Sequence, residues 1–457
     1  MAIATIDPCT GEVLETFDEL TPEELDDRIE RAAAAATSYR LTSFAERAGW
    51  LRRAADLLDE RTDEAAAMIT QEMGKPRSAA AAEATKCATA LRWYADHGAA
   101  LLADEELPAE EVGASRAFAR HLPLGVVLAV MPWNFPLWQA MRFAAPALMA
   151  GNVGLLKHAR NVPRTALFME RLFADAGFPA DVFSTLLIGS SAVEGVIADS
   201  RVAAVTLTGS EGAGVSVGTA AGAALKKVVL ELGGSDPFVV MPSADLEAAA
   251  RVATTSRTQN NGQSCIAAKR FIVHAEVYDA WLEMFRERMA GLVVGDPAEE
   301  GTDVGPLATE PGRDEVADQV RGAVDDGATL VLGGEVPDRP GWWYPPTILT
   351  DITEDMDVFH AEVFGPVAMV FRVGSLDEAI RLANATRFGL GANAWTTDAD
   401  EQEAFVRDLA AGQTFLNGMT ASHPAMPFGG VKASGHGREL AGAGIREFTN
   451  LKTVWIA

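Results

Sequence analysis

Along residues 21 to about 102, apolar positions, most of them alanine, recur at helical spacing, and Thr21-Pro22-Glu23-Glu24 opens the region with a cap, a first-turn proline and early acids. Helices are expected here. Cys87 falls on one Ala-rich face, and Trp93, Tyr94 and His97 follow at helical spacing, so all four read as packing. Around residues 108–123 the pattern breaks into short mixed segments, with alternation over residues 115–121 that suits a half-exposed strand, and an exposed strand invites pairing with another subunit. Residues 125–131 then form an unbroken apolar run, the mark of a parallel strand buried on both faces. Residues 151–157 and 205–208 read as further strands with helical stretches between them, and the alternation restarts at Asp236-Pro237-Phe238-Val239-Val240-Met241. Such alternation predicts an α/β fold with a second α/β domain beginning beyond Glu231, and the apolar end Thr453-Val454-Trp455-Ile456 predicts a docking strand.

Several chemically loaded stretches lie against this frame. In Asn260-Asn261-Gly262-Gln263-Ser264-Cys265 a thiol sits among small hydrogen-bonding neighbours, a setting that suits a nucleophile better than a structural cysteine. Glu231-Leu232-Gly233-Gly234 offers a carboxylate, and Pro132-Trp133-Asn134-Phe135-Pro136 offers an amide donor between prolines at the end of a buried strand. Ligands of open α/β sheets gather at such ends. Together the three stretches point to acyl chemistry on sulfur. Lys157, His158 and Arg160 leave the next strand and could meet phosphate or ribose, while the glycines of Gly209-Ser210-Glu211-Gly212-Ala213-Gly214 stand between a strand and a helix, where backbone N–H groups can approach a pyrophosphate. Phe359-His360-Ala361-Glu362-Val363-Phe364-Gly365-Pro366 sets a carboxylate beside an aromatic in a turn, and residues 427–435 form a glycine-rich loop; either could be plain turn chemistry.

Composition narrows the class. With 457 residues, 48% of them hydrophobic, the chain is long enough for more than one core. Asp and Glu number 64 against 38 Lys and Arg, and the net charge of -26 disfavours nucleic acid and anionic membranes as partners. Three cysteines without close spacing fit neither a disulfide framework nor a zinc site, so no metal is expected and a reducing compartment is. The N-terminus lacks the pattern of a signal peptide, and no apolar run has the length of a membrane helix. A soluble, cytoplasmic protein is the expectation.

In combination, order and interval, these motifs resemble the aldehyde dehydrogenase superfamily from the N-terminal segment to the last strand. The resemblance implies a Rossmann-type dinucleotide-binding domain (residues 1–105 and 124–233), an α/β catalytic domain (234–436) and a small β oligomerisation element (106–123 and 437–457) that would build a homodimer or homotetramer. It further implies Cys265 as nucleophile, Asn134 as oxyanion donor and Glu231 as the base that activates water. Trp133, Lys157, Arg160, Gly209, Ser210, Gly214, Glu362 and Phe364 would then surround the cofactor.

Within the superfamily, residues 136–159 are similar to those of bacterial succinate-semialdehyde dehydrogenases, whose substrate carboxylate would meet Arg142 and Ser422, with Phe428 beside them. Gln259 stands where many of these enzymes carry a second arginine, which leaves a longer semialdehyde such as glutarate semialdehyde, or a general aliphatic aldehyde, open as substrate. Arg160 occupies the place of a glutamate common in NAD-preferring relatives, so NADP is favoured with NAD still possible. A CoA-acylating enzyme fits less well because Glu231 is present, and a silent dinucleotide-binding protein fits less well because Cys265, Asn134, Glu231 and Glu362 are all intact.

Overall fold

The structure, a computed structural model, describes residues 2–457. Its first large layer is helical. Helix Pro22–Tyr39 begins where the sequence predicts: the Thr21 hydroxyl accepts from the Glu24 N–H, and the Glu24 carboxylate accepts from the Thr21 N–H. Ser43 and Glu46 repeat this capping box at helix Phe44–Glu60. Thr62–Met73 and Arg77–Leu101 complete the layer, with Cys87 and Tyr94 fully buried and Trp93 packed between Tyr94 and His97.

This layer closes over helix Pro136–Ala150, every residue of which is buried. A buried helix start leaves unpaired N–H groups, and a neighbouring helix must supply the acceptor. Glu83 does so, accepting from the N–H groups of Leu137 and Trp138 at 2.9 and 2.8 Å while also pairing with Lys75.

A six-stranded sheet follows, ordered Gly435–His436, Lys227–Glu231, Val202–Thr208, Val126–Met131, Val153–His158, Phe183–Thr185. All its pairings are parallel except the first. The chain starts in the middle, at Val126–Met131, and adds strands on either side, so the carboxyl ends open a crevice where the order reverses. Pro132 to Asn134, Lys157 and Gly209 therefore emerge along one edge of this sheet.

A second, seven-stranded sheet runs Thr329–Leu332, Thr347–Thr350, Val367–Val373, Ala268–His274, Asp236–Val240, Ala392–Trp395, Thr414–Leu416, parallel except for Thr329–Leu332. Both sheets carry their own buried apolar clusters. In the third sheet Thr449–Ile456 pairs antiparallel with Arg116–Pro123 along its whole length, and Glu105–Glu106 lies on the other side. Leu451, Trp455 and Ile456 are exposed on it.

Sequence patterning did not reveal the N-terminal hairpin of Ile3–Ile6 and Val13–Phe17. Its Ala4 N–H donates to the Arg160 carbonyl at 3.1 Å, tying the hairpin to the exit of strand Val153–His158. Among the described residues no helix is long and apolar enough to cross a membrane.

Candidate active site

Cys265 is presented by a backbone that few residue types could hold. Asn260, Asn261 and Gly262 take successive left-handed conformations, with φ of 58°, 56° and 76°. Asparagine enters that region at lower cost than most residues, since its short amide can bond locally, and here both amides are used. Asn261 donates to the carbonyls of Gly74 and Pro306 at 2.8 and 2.9 Å and accepts from the Gly305 N–H at 2.8 Å. Asn260 donates to the carbonyls of Asn134 and Gln263 at 2.7 and 2.8 Å. Gly262 has no alternative, because a Cβ there would strike the backbone of Gly365 and Pro366. Asn134 closes the arrangement by donating its own amide to Gln263 O at 3.1 Å. Thus the amide that leaves the first sheet and the loop that carries the thiol are locked together.

Two hollows meet at Cys265. The first is lined by Trp133, Asn134, Gly209, Ser210, Glu362 and Phe364, and the second by Lys86, Trp138, Arg142, Gln259, Ser422 and Phe428; Gln139 and Cys265 belong to both. All of these except Lys86 lie in stretches singled out in the sequence, and the fold brings them together around one sulfur. Ser210 caps helix Glu211–Ala223, accepting from the Ala213 N–H, so the first hollow ends on a helix N-terminus. Trp133 and Phe364 form an edge-to-face pair, 5.8 Å between centroids, in its wall. Glu231 and Gly214 line neither hollow; Gly214 lies inside that helix, where a Cβ would stand 2.5 Å from Leu232, so its bareness serves helix-to-sheet packing. Lys157 and Arg160 stand beyond the hollow at the end of their strand. Lys157 is half-buried, and burial lowers its pKa first, with the Arg160 charge lowering it further.

The electrostatics are those of a dry site. Burial pushes the Cys265 thiol up to about 12, while Arg142 and Lys269 pull it back down. Lys269 is itself fully buried, donating to the carbonyls of Ser264 and Cys265 at 3.0 Å each and pairing with Glu362 at 3.4 Å. Glu362 also accepts from the Gly234 N–H at 3.0 Å, and burial raises its pKa. Glu231 ends strand Lys227–Glu231 with neither carboxylate oxygen hydrogen-bonded. Burial raises its pKa well above the ordinary range, the nearby Glu439 raises it further, and Arg142 and Arg438 oppose. Arg142 is buried, ion-paired with Glu439, 3.3 Å from Thr208 Oγ1 and stacked over the Phe428 ring at 4.4 Å.

Sequence reasoning missed Lys86 and Glu439. Lys86 was hidden in an Ala-rich helical stretch and Glu439 in the tail, and only the fold brings them to the pocket. Ser422 accepts from Lys86 Nζ at 2.7 Å and from Trp138 Nε1 at 3.1 Å. The loop at residues 427–435 is more than a turn. It wraps the Glu231 stretch, with Ser434 Oγ donating to the Gly233 carbonyl at 2.6 Å, and Gly435–His436 pairs with Glu231 and Leu230.

A thiol at the meeting point of a cleft ending on a helix N-terminus and a small pocket with cations in its wall is a layout that suits an α/β oxidoreductase. The aldehyde dehydrogenase family model matches residues 1–454. The chain belongs to the aldehyde dehydrogenase family. It is 62% identical, over 100% of both chains, to succinate-semialdehyde dehydrogenase (NADP(+)) 1 of Mycobacterium tuberculosis strain H37Rv. It is 61% identical to succinate-semialdehyde dehydrogenase (NADP(+)) of Mycolicibacterium paratuberculosis, covering 100% of this chain and 97% of that one. The crystal structure of succinic semialdehyde dehydrogenase from Streptococcus pyogenes in complex with NADP+ superposes with a TM-score of 0.96 at 38% identity, over 99% of each chain.

Proposed function

We propose that this protein oxidises succinate semialdehyde to succinate with NADP. The reading rests above all on the meeting of the two hollows at Cys265, an arrangement that would let a dinucleotide and a small carbonyl compound approach one sulfur from two sides. The names of the relatives favour the same substrate and cofactor.

The first hollow fits a dinucleotide. Gly209 and Ser210 lead into a helix N-terminus that suits a pyrophosphate, and a Cβ at Gly233 would collide with the Glu362 carboxylate, so the floor there is bare by necessity. Trp133, Glu362 and Phe364 would hold the nicotinamide end, and Lys157 with Arg160 the adenosine ribose and its 2′-phosphate. When bound, NADP supplies the hydride acceptor. NAD would fit the same hollow without the second charge contact.

The chain's own residues do the rest. The Cys265 thiol gives up its proton to water as the sulfur attacks the aldehyde carbon, and Asn134 Nδ2 with the Cys265 backbone N–H donates to the developing oxyanion; donors of this kind are each worth ~3 to 4 kcal/mol of barrier. After oxidation the acyl group is a thioester on Cys265. Glu231, made a stronger base by burial and by Glu439, takes a proton from water as that water attacks the thioester, and the acid leaves with the thiol restored. Ser422, Phe428 and Arg142 bound the distal end of the substrate, Arg142 adding positive potential while remaining paired with Glu439.

The first sheet with the N-terminal helices forms the dinucleotide-binding unit in this reading, and the second sheet the catalytic one. Arg116–Pro123 with Thr449–Ile456 is the element that joins subunits of a homodimer or homotetramer, and the protein acts in the cytoplasm without nucleic-acid or membrane partners. A panel of aldehydes assayed with NADP and NAD tests the proposal. The highest kcat/KM is expected for succinate semialdehyde with NADP, with some turnover of glutarate semialdehyde because Gln259 leaves that end of the pocket without a second arginine. Equal rates for butanal and the semialdehyde would refute the substrate.

A further inference from the structure

We propose that Lys86 is the residue that pairs with the distal carboxylate of the substrate, together with the hydroxyl of Ser422. The inference deepens the function proposed above and rests on it.

Two cations line the pocket beside Cys265, Lys86 and Arg142, with Lys75 and Lys269 behind its wall, and of these four all but Lys86 already have an acid. Lys75 pairs with Glu83, Arg142 with Glu439 and Lys269 with Glu362. Lys86 has no carboxylate within ion-pair reach among the described residues; its ammonium donates to Ser422 Oγ at 2.7 Å and lies over the Trp138 ring at 4.2 Å. Glu83, one turn earlier on the same helix, is turned away and committed to Lys75 and to the N–H groups of Leu137 and Trp138. A cation held largely out of water without a counter-charge is costly, and burial together with Arg142 pulls its pKa down to about 8. An anionic ligand relieves that cost.

Ser422 supports the same reading. Its oxygen accepts from Lys86 Nζ and from Trp138 Nε1, so its own hydrogen is left to donate into the pocket. Gln259 Nε2, in the same wall, is buried with no hydrogen-bond partner. Lys86, Ser422 and Gln259 thus aim unspent donors at one small space, in a chain whose net charge of -26 would otherwise repel an anion. Arg142 is less suited to this task, because turning its charge to a ligand would strand Glu439 in the interior.

The test compares succinate semialdehyde with butanal, an uncharged aldehyde of the same length, in wild type, Lys86→Met and Lys86→Arg. Lys86→Met keeps most of the apolar stem and removes the charge. It is expected to lower kcat/KM for the semialdehyde by about thirtyfold or more, the loss of one partner of a desolvated charge pair. The loss should appear mainly in KM, with butanal turnover close to wild type, and Lys86→Arg should recover most of it. A similar loss for both aldehydes would make Lys86 a structural residue and overturn the inference. A wild-type preference for the semialdehyde that survives Lys86→Met would overturn it too, leaving the proposed function intact. A wild type that does not distinguish the two aldehydes would instead overturn the substrate reading and this inference with it.

Discussion

Arg142 and Glu439 form an ion pair in the interior, both almost completely shielded from water, with Arg142 also stacked on Phe428. The pair joins helix Pro136–Ala150, which follows the Asn134 stretch, to the C-terminal tail that wraps the Glu231 strand. Breaking such a pair from one side leaves a buried charge with no partner, at a cost of about 3 to 5 kcal/mol, whereas replacing both partners by neutral groups is far milder. Arg142→Met should therefore lower the melting temperature markedly, and Arg142→Met combined with Glu439→Leu should regain much of the loss. A single variant as stable as wild type in thermal denaturation would show that Glu439 has another partner.

The Cys265 thiol is expected to titrate well above the ordinary cysteine value in the unliganded protein, because burial raises its pKa to about 12. For a thiol raised in this way the reactive anion is scarce at neutral pH and grows with pH. Alkylation by iodoacetamide should then keep accelerating beyond pH 9 without levelling off. A plateau near pH 7 would mean that the thiolate is already formed and that Arg142 and Lys269 outweigh burial. Cys265→Ala should abolish aldehyde oxidation while leaving binding of NADP nearly unchanged, as measured by fluorescence quenching.

Glu231→Gln removes the base without removing the nucleophile. Deacylation should slow by roughly a hundredfold or more, so that stopped-flow traces show a burst of reduced cofactor close to the number of active sites before a slow steady state. In wild type the deacylation rate should rise with pH through the raised pKa of Glu231, since only the carboxylate accepts the proton. Unchanged turnover with no burst would take Glu231 out of this role.

Arg160 stands beside Lys157 at the end of strand Val153–His158. Arg160→Glu should shift the ratio of kcat/KM from NADP toward NAD by at least tenfold, since a carboxylate there repels a 2′-phosphate and can accept from ribose hydroxyls. An unchanged ratio would place recognition of the phosphate elsewhere along the same edge.

Much of this protein was legible in the chain itself. The capping box at Thr21 and Glu24 is local, and so is the unbroken apolar run of residues 126–131, which is of the kind found in a strand covered on both faces. The stretches around Asn134, Glu231 and Cys265 stood out because small polar residues beside a thiol or carboxylate make poor packing. Their setting could be read without a fold. The left-handed run through Asn260, Asn261 and Gly262 is likewise compatible with its residue types.

Other features were set by tertiary structure. Lys86 lies on an Ala-rich helix whose pattern says only that one face is buried; it lacks a counter-charge because Glu83, one turn away, is held by Lys75 and by the start of another helix. Glu439 reaches Glu231 because the tail crosses back and Gly435–His436 pairs antiparallel at the sheet edge, a contact with no local signal. Gly214 read as part of a phosphate turn, yet the turn ends at Ser210 and the helix has already begun, so Gly214 faces Leu232. The reason is common to all three. Hydrophobic period and turn chemistry report what a segment does with its own backbone and which of its faces avoids water. The neighbour that fills that face, and hence which charges are paired and which are left for a ligand, depends on contacts between segments far apart in the chain.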